Sequence, residues 1–310
     1  MTYIHWLICA ALLASVAAGQ SNNGELLSNA KAAYNSGNYN EAVKLYHVAA
    51  EKSNAKAQYA LGVMYEHGRG VPQDLQKARE WYLKAAALGS APAQNNLGYL
   101  YYTGLGVTKD DSRAFQWYIA AVTNTGKDEW NIATAWCNAG TMYLEGRGTQ
   151  KDIGKAVEYY RKAADRGNPN AANNLAYLYE HGVGVARNYD MAMQLYRKAA
   201  DQGFPFAEHN LGVMYENGTG VMLDYNEALK WYGQAAAQNN TRAQYKLGRL
   251  YERGLGVTKD LVEAYRWYWV SAERGEEDAR NGTNRLKTLM TKQQIDEAMK
   301  RAAVKKEGSK

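Results

Sequence analysis

The chain has 310 residues, of which 46% are apolar and 22% charged, so it is not a disordered chain, and four prolines against 29 glycines exclude a proline-rich linker or collagen. Its formal net charge is +6, but residues 300–310 supply +4 of that, with five Lys or Arg against one Glu. The remaining body is close to neutral, which argues against a nucleic-acid partner, because that function needs a basic face on the folded body.

The N-terminal segment has the pattern of a secretory leader. Residues 1–24 contain no Asp, Glu, Lys or Arg, and an apolar run from Trp6 to Val16 is followed by small residues. This predicts a signal peptide at residues 1–19 and an exported protein, either periplasmic or secreted. The run is too short for a stable membrane anchor, and Cys9 lies inside it, so we expect no lipid attachment at this cysteine.

The body of the chain is a tandem array. The phrase LGVMYEHGRGV at Leu61 recurs with small changes, at intervals of 36, 42, 36, 36 and 36 residues, starting at Leu97, Ala139, Leu175, Leu211 and Leu247. A period of roughly 20–50 residues is typical of a solenoid. The pattern therefore excludes a globule built around one core.

Each repeat is predicted to form two helices. In the first repeat, apolar residues spaced three or four apart begin near Ala55 and stop at Gly68, and Asp74 then caps a second helix that Gly89 closes. Residues that can cap the first helix recur at Asn54, Ser90, Asn168 and Asn240, whereas Phe204 breaks this column. Glycines in the middle of the first helices indicate close approach of a neighbouring helix; they are Gly62, Gly98, Gly140, Gly212 and Gly248.

The repeated residues resemble the Sel1-like repeat family, which is related to the tetratricopeptide repeats. The resemblance is carried by Leu-Gly-x-x-Tyr in the first helix, Gly-x-Gly-Val-x-x-Asp in the loop and Ala-x-x-Trp-Tyr-x-x-Ala-Ala in the second helix. It implies an all-α fold, an α/α solenoid superhelix of antiparallel helix pairs. Six repeats are expected over 55–276, namely 55–90, 91–131, 132–168, 169–204, 205–240 and 241–276. A tetratricopeptide-like pair at 25–54 precedes them, and capping helices at 277–299 and a basic tail at 300–310 follow.

The resemblance also implies where a partner binds. In the tetratricopeptide-like arrangement the first helices line the concave face, and the positions two before, two after and five after the repeated leucine point into it. The polar and aromatic residues there that we expect to contact a partner are Tyr99, Tyr102, Tyr177 and His209.

An asparagine column lies one position before the leucine. It contains Asn96, Asn138, Asn174 and Asn210. Because an amide both donates and accepts hydrogen bonds, this ladder would hold an extended peptide backbone; alternatively, the amides bridge neighbouring helices.

Two further features are confined to single repeats. Six extra residues around 124–131 bring Trp130, which either anchors a partner or fills the irregular junction. In the last repeat four cations spaced four, three and four apart share one helix face; they are Arg242, Lys246, Arg249 and Arg253. This stripe is either a solvated face or a dock for an acidic segment or a terminal carboxylate of the partner.

We expect no enzyme. The chain has no His-Glu-x-x-His, Cys-x-x-Cys or Gly-x-Ser-x-Gly motif, and Cys137, the one cysteine after the leader, has no neighbouring histidine. The sequence therefore predicts no catalytic residue, cofactor or metal.

The favoured function is that of a monomeric, exported, non-enzymatic scaffold that binds a protein or peptide on its concave surface, as an envelope regulator, adaptor or host-contact factor. The alternative is a periplasmic immunity protein that sequesters a toxic secreted hydrolase such as a lipase effector. An enzyme that binds cell-wall fragments is disfavoured, because this chain lacks the paired cysteines of such relatives. An adaptor of a eukaryotic secretory compartment is disfavoured by the missing anchor.

Overall fold

The computed structural model describes residues 23–123 and 129–307, apart from the side chains of 129–131 and 304–307. The predicted signal peptide and residues 124–128 of the predicted insertion lie outside the described residues. The backbone of Trp130 lies in a helix, and its side chain is outside the described set.

All regular structure in the described ranges is helical, which confirms the predicted all-α fold. The chain divides into two compact units, Met1–Arg166 and Gly167–Lys310. The described helices of the first unit are α1 (23–35), α2 (Tyr39–Glu51), α3 (Ala55–His67), α4 (Leu75–Ala87), α5 (Ala91–Thr103), α6 (Asp111–Thr123), α7 (Glu129–Glu145) and α8 (Ile153–Asp165). Those of the second are α9 (Pro169–His181), α10 (Tyr189–Ala200), α11 (Pro205–Asn217), α12 (Tyr225–Ala237), α13 (Thr241–Arg253), α14 (Leu261–Ala272), α15 (Glu277–Lys287) and α16 (Lys292–Glu307).

The helix ends form at the predicted caps. The side chains of Asn54, Asn168 and Asn240 accept hydrogen bonds of 2.9–3.1 Å from the amide three residues on, and so satisfy one of the orphan amides of the first turn. Ser90 does the same at 3.4 Å, and Phe204, as expected, forms no side-chain cap. Asp74 caps the second helix of its repeat through the amide of Lys77, at 3.0 Å.

Buried tyrosine rings fill the space between the two helices of each repeat. These rings are at most 2% exposed and belong to Tyr82, Tyr118, Tyr160, Tyr196, Tyr232 and Tyr268. Each mid-helix glycine lies against one of them, and a Cβ at Gly212 would come within 2.6 Å of the Tyr232 ring. The glycines therefore admit the ring of the partner helix, which explains their position in the helix interior.

A glutamine joins consecutive repeats. Gln58 and Gln244 donate hydrogen bonds of 3.1 Å to a carbonyl at the end of the preceding helix, eight residues earlier, and Gln94 does so at 3.4 Å. Each of these carbonyls also accepts a backbone amide at the end of its helix, from Ser53, Asn239 and Gly89 respectively, so the glutamine adds a second bond at the carbonyl's other lone pair. In the fifth repeat the same position is Glu208, which is 4% exposed and accepts from Gln238 Nε2.

The C-terminal helices cover the last repeat. Both α15 and α16 pack on α14, where Leu286 and Ala298 are fully buried in one cluster with Tyr268. Thr291 and Gln294 form a capping box at the start of α16, with reciprocal bonds of 2.9 and 3.3 Å. Helix α16 continues to Glu307, beyond the expected boundary at residue 299 and into the predicted tail.

Candidate partner-binding surface

The first helices leave two tyrosines largely uncovered. Tyr99 in α5 and Tyr177 in α9, both two positions after the repeated leucine, are 45% and 49% exposed. His181 stacks on Tyr177, with ring centroids 4.1 Å apart. Two positions before the leucine the burial is different: Asn95 and Cys137 are buried, so that position contributes less surface than predicted. Burial raises the pKa of the Cys137 thiol to about 12, which keeps it protonated at neutral pH.

The asparagine column is engaged inside the protein. Asn138 donates to the side-chain oxygen of Asn95 and Asn210 to that of Asn173, each at 3.0 Å and each from one repeat to the one before. Asn96 donates to the Tyr82 hydroxyl at 3.1 Å. The side-chain oxygen of Asn174 accepts from its neighbour in sequence, Asn173, at 3.4 Å. The bonds of Asn96, Asn138 and Asn210 correspond to the bridging alternative, whereas that of Asn174 stays within α9.

The four glutamates that lie five positions after the repeated leucine also have partners inside the protein. The buried tyrosine of the same repeat donates to the glutamate at 2.6–2.8 Å, in the pairs Tyr82–Glu66, Tyr196–Glu180, Tyr232–Glu216 and Tyr268–Glu252. Burial, and then the adjacent carboxylate, raise the pKa of Tyr232 far above its ordinary value, so it stays a hydrogen-bond donor.

In the second repeat Tyr102 takes the place of the glutamate, and it is half-buried beneath a cation. The guanidinium of Arg147 lies 4.0 Å from the centre of the Tyr102 ring. The same group holds Asp111 by two bonds of 2.6 and 3.0 Å. That pair of hydrogen bonds lowers the pKa of Asp111.

The basic stripe of the last repeat is partly neutralised from within. Lys246 Nζ lies 2.8 Å from Glu216 Oε2, and Arg249 Nη1 lies 3.9 Å from Glu216 Oε1. Burial tends to raise the pKa of Glu216, but the bonds from Lys246 and Tyr232 outweigh it, and the net pKa is lowered. Arg242 and Arg253 are exposed. Sequence reasoning missed Glu216 because it lies in the preceding repeat, 30 residues before Lys246.

His209 lies beside this stripe and packs against Tyr232, with centroids 5.6 Å apart. Burial lowers its pKa to about 4, and the charges of Lys246 and Arg242 add to that effect. The imidazole is therefore neutral at neutral pH. Its Nδ1 atom is buried and has no hydrogen-bond partner among the described residues.

A cavity of about 640 Å³ adjoins Arg249 and Arg253. Two of its lining cations, Lys259 and Arg285, were not singled out in the sequence. Arg285 lies in α15, outside the repeats, so the repeat period gave no signal for it. The recurrence of a cation at one loop position in four repeats, as Lys109, Lys151, Arg187 and Lys259, was available in the sequence.

None of the helices in the described ranges is long and apolar enough to cross a bilayer. Within those ranges, no three His, Cys, Asp or Glu side chains come together in a way that would hold a metal ion.

The segments that form these helix pairs match a protein-family model. The model, described as Sel1 repeat, matches seven segments, at residues 31–54, 55–90, 91–124, 135–168, 169–204, 205–240 and 241–276. The chain belongs to the Sel1 repeat family. This confirms the resemblance seen in the sequence and extends it to the N-terminal pair.

A solved Sel1 repeat protein from Oxalobacter formigenes has a similar fold. It is 31% identical, with a TM-score of 0.73, over 79% of this chain and 96% of that one. Among curated proteins, DAP3-binding cell death enhancer 1 of Rattus norvegicus is 48% identical over 42 residues. The ERAD-associated E3 ubiquitin-protein ligase component HRD3 of Candida glabrata is 47% identical over 45 residues. Each match covers 14% of this chain, and 8% and 5% of those proteins. The likeness to them is therefore that of Sel1 repeats, which mediate protein–protein interaction, and does not extend to the whole proteins.

Proposed function

We propose that this Sel1 repeat protein is an exported, non-enzymatic scaffold that binds a protein partner on the surface of its first helices. The observation that carries the proposal is the contrast between two sets of tyrosines. Those of the second helices are at most 2% exposed and serve the core, whereas Tyr99 and Tyr177 are 45% and 49% exposed. Aromatic side chains with both apolar area and a hydroxyl are enriched at protein interfaces, which is the use we assign to Tyr99 in the first unit and to Tyr177 in the second.

Contacts of Tyr177 with His181 support the same use. Tyr177 is held by its stack with His181, whose Nδ1 lies 3.0 Å from the Tyr177 carbonyl. A ring that is already ordered loses less conformational entropy when a partner covers it. Binding at such a surface needs neither a cofactor nor a metal.

The test is capture of the native partner from cell envelopes with the mature protein, followed by comparison of Tyr99→Ala and Tyr177→Ala with wild type. We expect each substitution to weaken capture by about tenfold, as for a truncated interface aromatic. Met222→Ser is the matched control, because Met222 is 90% exposed and lies in the loop between α11 and α12, outside the first helices themselves. Equal loss in the control, or full capture by both tyrosine variants, contradicts the proposal.

The captured partner also separates the regulatory function from the immunity alternative. A secreted hydrolase whose activity falls when this protein binds indicates the immunity function, and an envelope component without such activity indicates a regulator or adaptor.

Export is tested independently by mass spectrometry of the native protein. The proposal predicts a mature N-terminus near Gly19–Ser21, after the small residues of the predicted leader. An intact Met1 in a soluble cytoplasmic fraction is the result that contradicts export.

A further inference from the structure

The cavity of about 640 Å³ lies between α13, the loop that precedes α14, and α15, all in the second unit. Four of its lining residues are cationic and two are acidic: Arg249, Arg253, Lys259 and Arg285 against Glu252 and Asp278. The walls therefore carry a formal excess of two positive charges.

The two carboxylates of the cavity already have interactions of their own. Glu252 is already occupied by Arg285, at 2.7 and 3.1 Å, and by the Tyr268 hydroxyl at 2.7 Å. Asp278 lies in the first turn of α15, where a carboxylate interacts favourably with the helix amides. The carboxylate of Glu252 thus has little capacity left for Arg253 or Lys259, and neither of these cations forms a salt bridge within the described part of the chain.

Arg249 also retains free donors. Its nearest carboxylate, Glu216, lies at 3.9 Å, beyond hydrogen-bond distance, and is already bonded to Lys246 and Tyr232 at 2.8 and 2.6 Å. The guanidinium therefore lies near a carboxylate without a hydrogen bond to it, and the Arg249 side chain is 29% exposed.

The cations of this cavity are not part of the repeat architecture. The position of Arg249 is apolar or neutral in earlier repeats, as Val63, Tyr99, Thr141, Tyr177 and Val213. The position of Arg253 holds His67, Thr103, Glu145, His181 and Asn217. Five other repeats fold without a cation at either position, so packing does not require these two arginines.

We propose that this cavity binds two neighbouring carboxylate side chains on an acidic segment of the protein partner. The proposal rests on the proposed function and names the chemistry of one partner segment. Two carboxylates match the charge excess, and a guanidinium can take a carboxylate through two parallel bonds, which Arg249 and Arg253 have the donors to do. The volume lies in the range of small-ligand sites, large enough for two short acidic side chains.

This assignment differs from a dock along the whole basic stripe. Lys246 is bonded to Glu216 and Arg285 to Glu252, and Lys259 lines the cavity from outside the stripe. A nucleic-acid strand is disfavoured, because its evenly spaced phosphates need a longer basic track than one cavity with two carboxylates in its wall.

The test uses the full chain and a labelled, C-terminally amidated peptide with two adjacent glutamates. The variant Arg253→Gln/Lys259→Gln removes two cations from the cavity, and Lys109→Gln/Lys151→Gln removes two cations from the loop position equivalent to Lys259 in other repeats. Both variants lower the net charge equally, so the general attraction between protein and peptide is matched. At low ionic strength we expect binding by wild type and by the control, about five- to tenfold weaker binding by the cavity variant, and a difference that shrinks as salt rises.

Three further probes identify the ligand. A peptide with glutamines in place of the glutamates should not bind, and neither a glutamine peptide with a free C-terminus nor inorganic phosphate should compete with the acidic peptide. Equal affinity of the cavity and control variants, or absence of saturable binding up to about 1 mM peptide, overturns the proposal. Competition by phosphate or by the free C-terminus overturns the choice of acidic side chains. If the peptide fails while Tyr99 and Tyr177 remain necessary for capture of the partner, the proposed function stands without this site.

Discussion

Replacing Glu208 by glutamine should stabilise the protein. Glu208 is 4% exposed and occupies the position at which Gln58, Gln94 and Gln244 each donate to a carbonyl eight residues earlier. An ionised carboxylate has no hydrogen to donate, so the equivalent carbonyl, that of Ala200, cannot receive this bond. The variant Glu208→Gln restores the donor and still offers an oxygen to the Nε2 atom of Gln238.

The expected gain is that of one buried neutral hydrogen bond, about 1 kcal/mol, with a further contribution in the same direction from removing a buried charge. A gain of about 1 kcal/mol in the free energy of local opening corresponds to roughly fivefold slower amide exchange in α10 and α11. Hydrogen exchange of these two helices is the suitable assay, because a repeat protein need not unfold in one step. The reciprocal variant Gln244→Glu is the control and should accelerate exchange in α12 and α13.

The gain should depend on pH with a defined sign. Burial raises the pKa of Glu208 in the folded protein, and the bonds from Gln238 offset this only in part. The folded state therefore holds the proton more tightly than the unfolded state, so the wild type loses stability as pH rises from the unfolded pKa through the folded one. Below the pKa that Glu208 has in the unfolded protein, its protonated carboxyl group can donate a hydrogen bond as an amide does. Amide hydrogens of wild type and of Glu208→Gln should then exchange at the same rate. A variant that is no more stable than wild type at neutral pH, or a gain that is the same at acidic pH, refutes the reasoning.

Two other substitutions test the packing and the ion pairs. Gly212→Ala places a Cβ within 2.6 Å of the Tyr232 ring and should cost about 1–3 kcal/mol, measured by hydrogen exchange of α11 and α12. The fourth repeat already has Ala176 at this position, and unchanged exchange in the variant would show that the ring yields freely. Arg147→Lys should lose the paired bonds to Asp111 and about 0.5–1 kcal/mol, because both side chains are partly exposed. Since Arg147 lowers the folded pKa of Asp111, this stabilisation is complete above the unfolded pKa and is lost as pH falls through the folded one; a difference between wild type and variant that persists at the lowest pH contradicts it.

Features that depend on one repeat were predictable from its sequence. The Asn54 cap and the glycine at position 212 act on residues within their own helix pair, at spacings that helix geometry fixes. The Lys246–Glu216 pair joins two repeats, and helical spacing along α13 contains no information on which residue of α11 lies opposite. Arg285 was beyond prediction for another reason: it belongs to α15, which follows no repeat period, and its contact with Glu252 exists only in the fold.

The glutamine and lysine bonds between repeats have a consequence for how such a chain changes length in evolution. Within the second unit the donors of the last repeat reach one repeat back and no further: Gln244 reaches Ala236, and Lys246 reaches Glu216. Loss of residues 205–240 by unequal recombination would bring Ala200 and Glu180 to these two acceptor positions, each identical in residue type to the one it replaces. This period can thus be lost while Gln244 and Lys246 each meet an acceptor of the same chemistry, and the terminal cavity, built from α13 to α15, would be inherited intact.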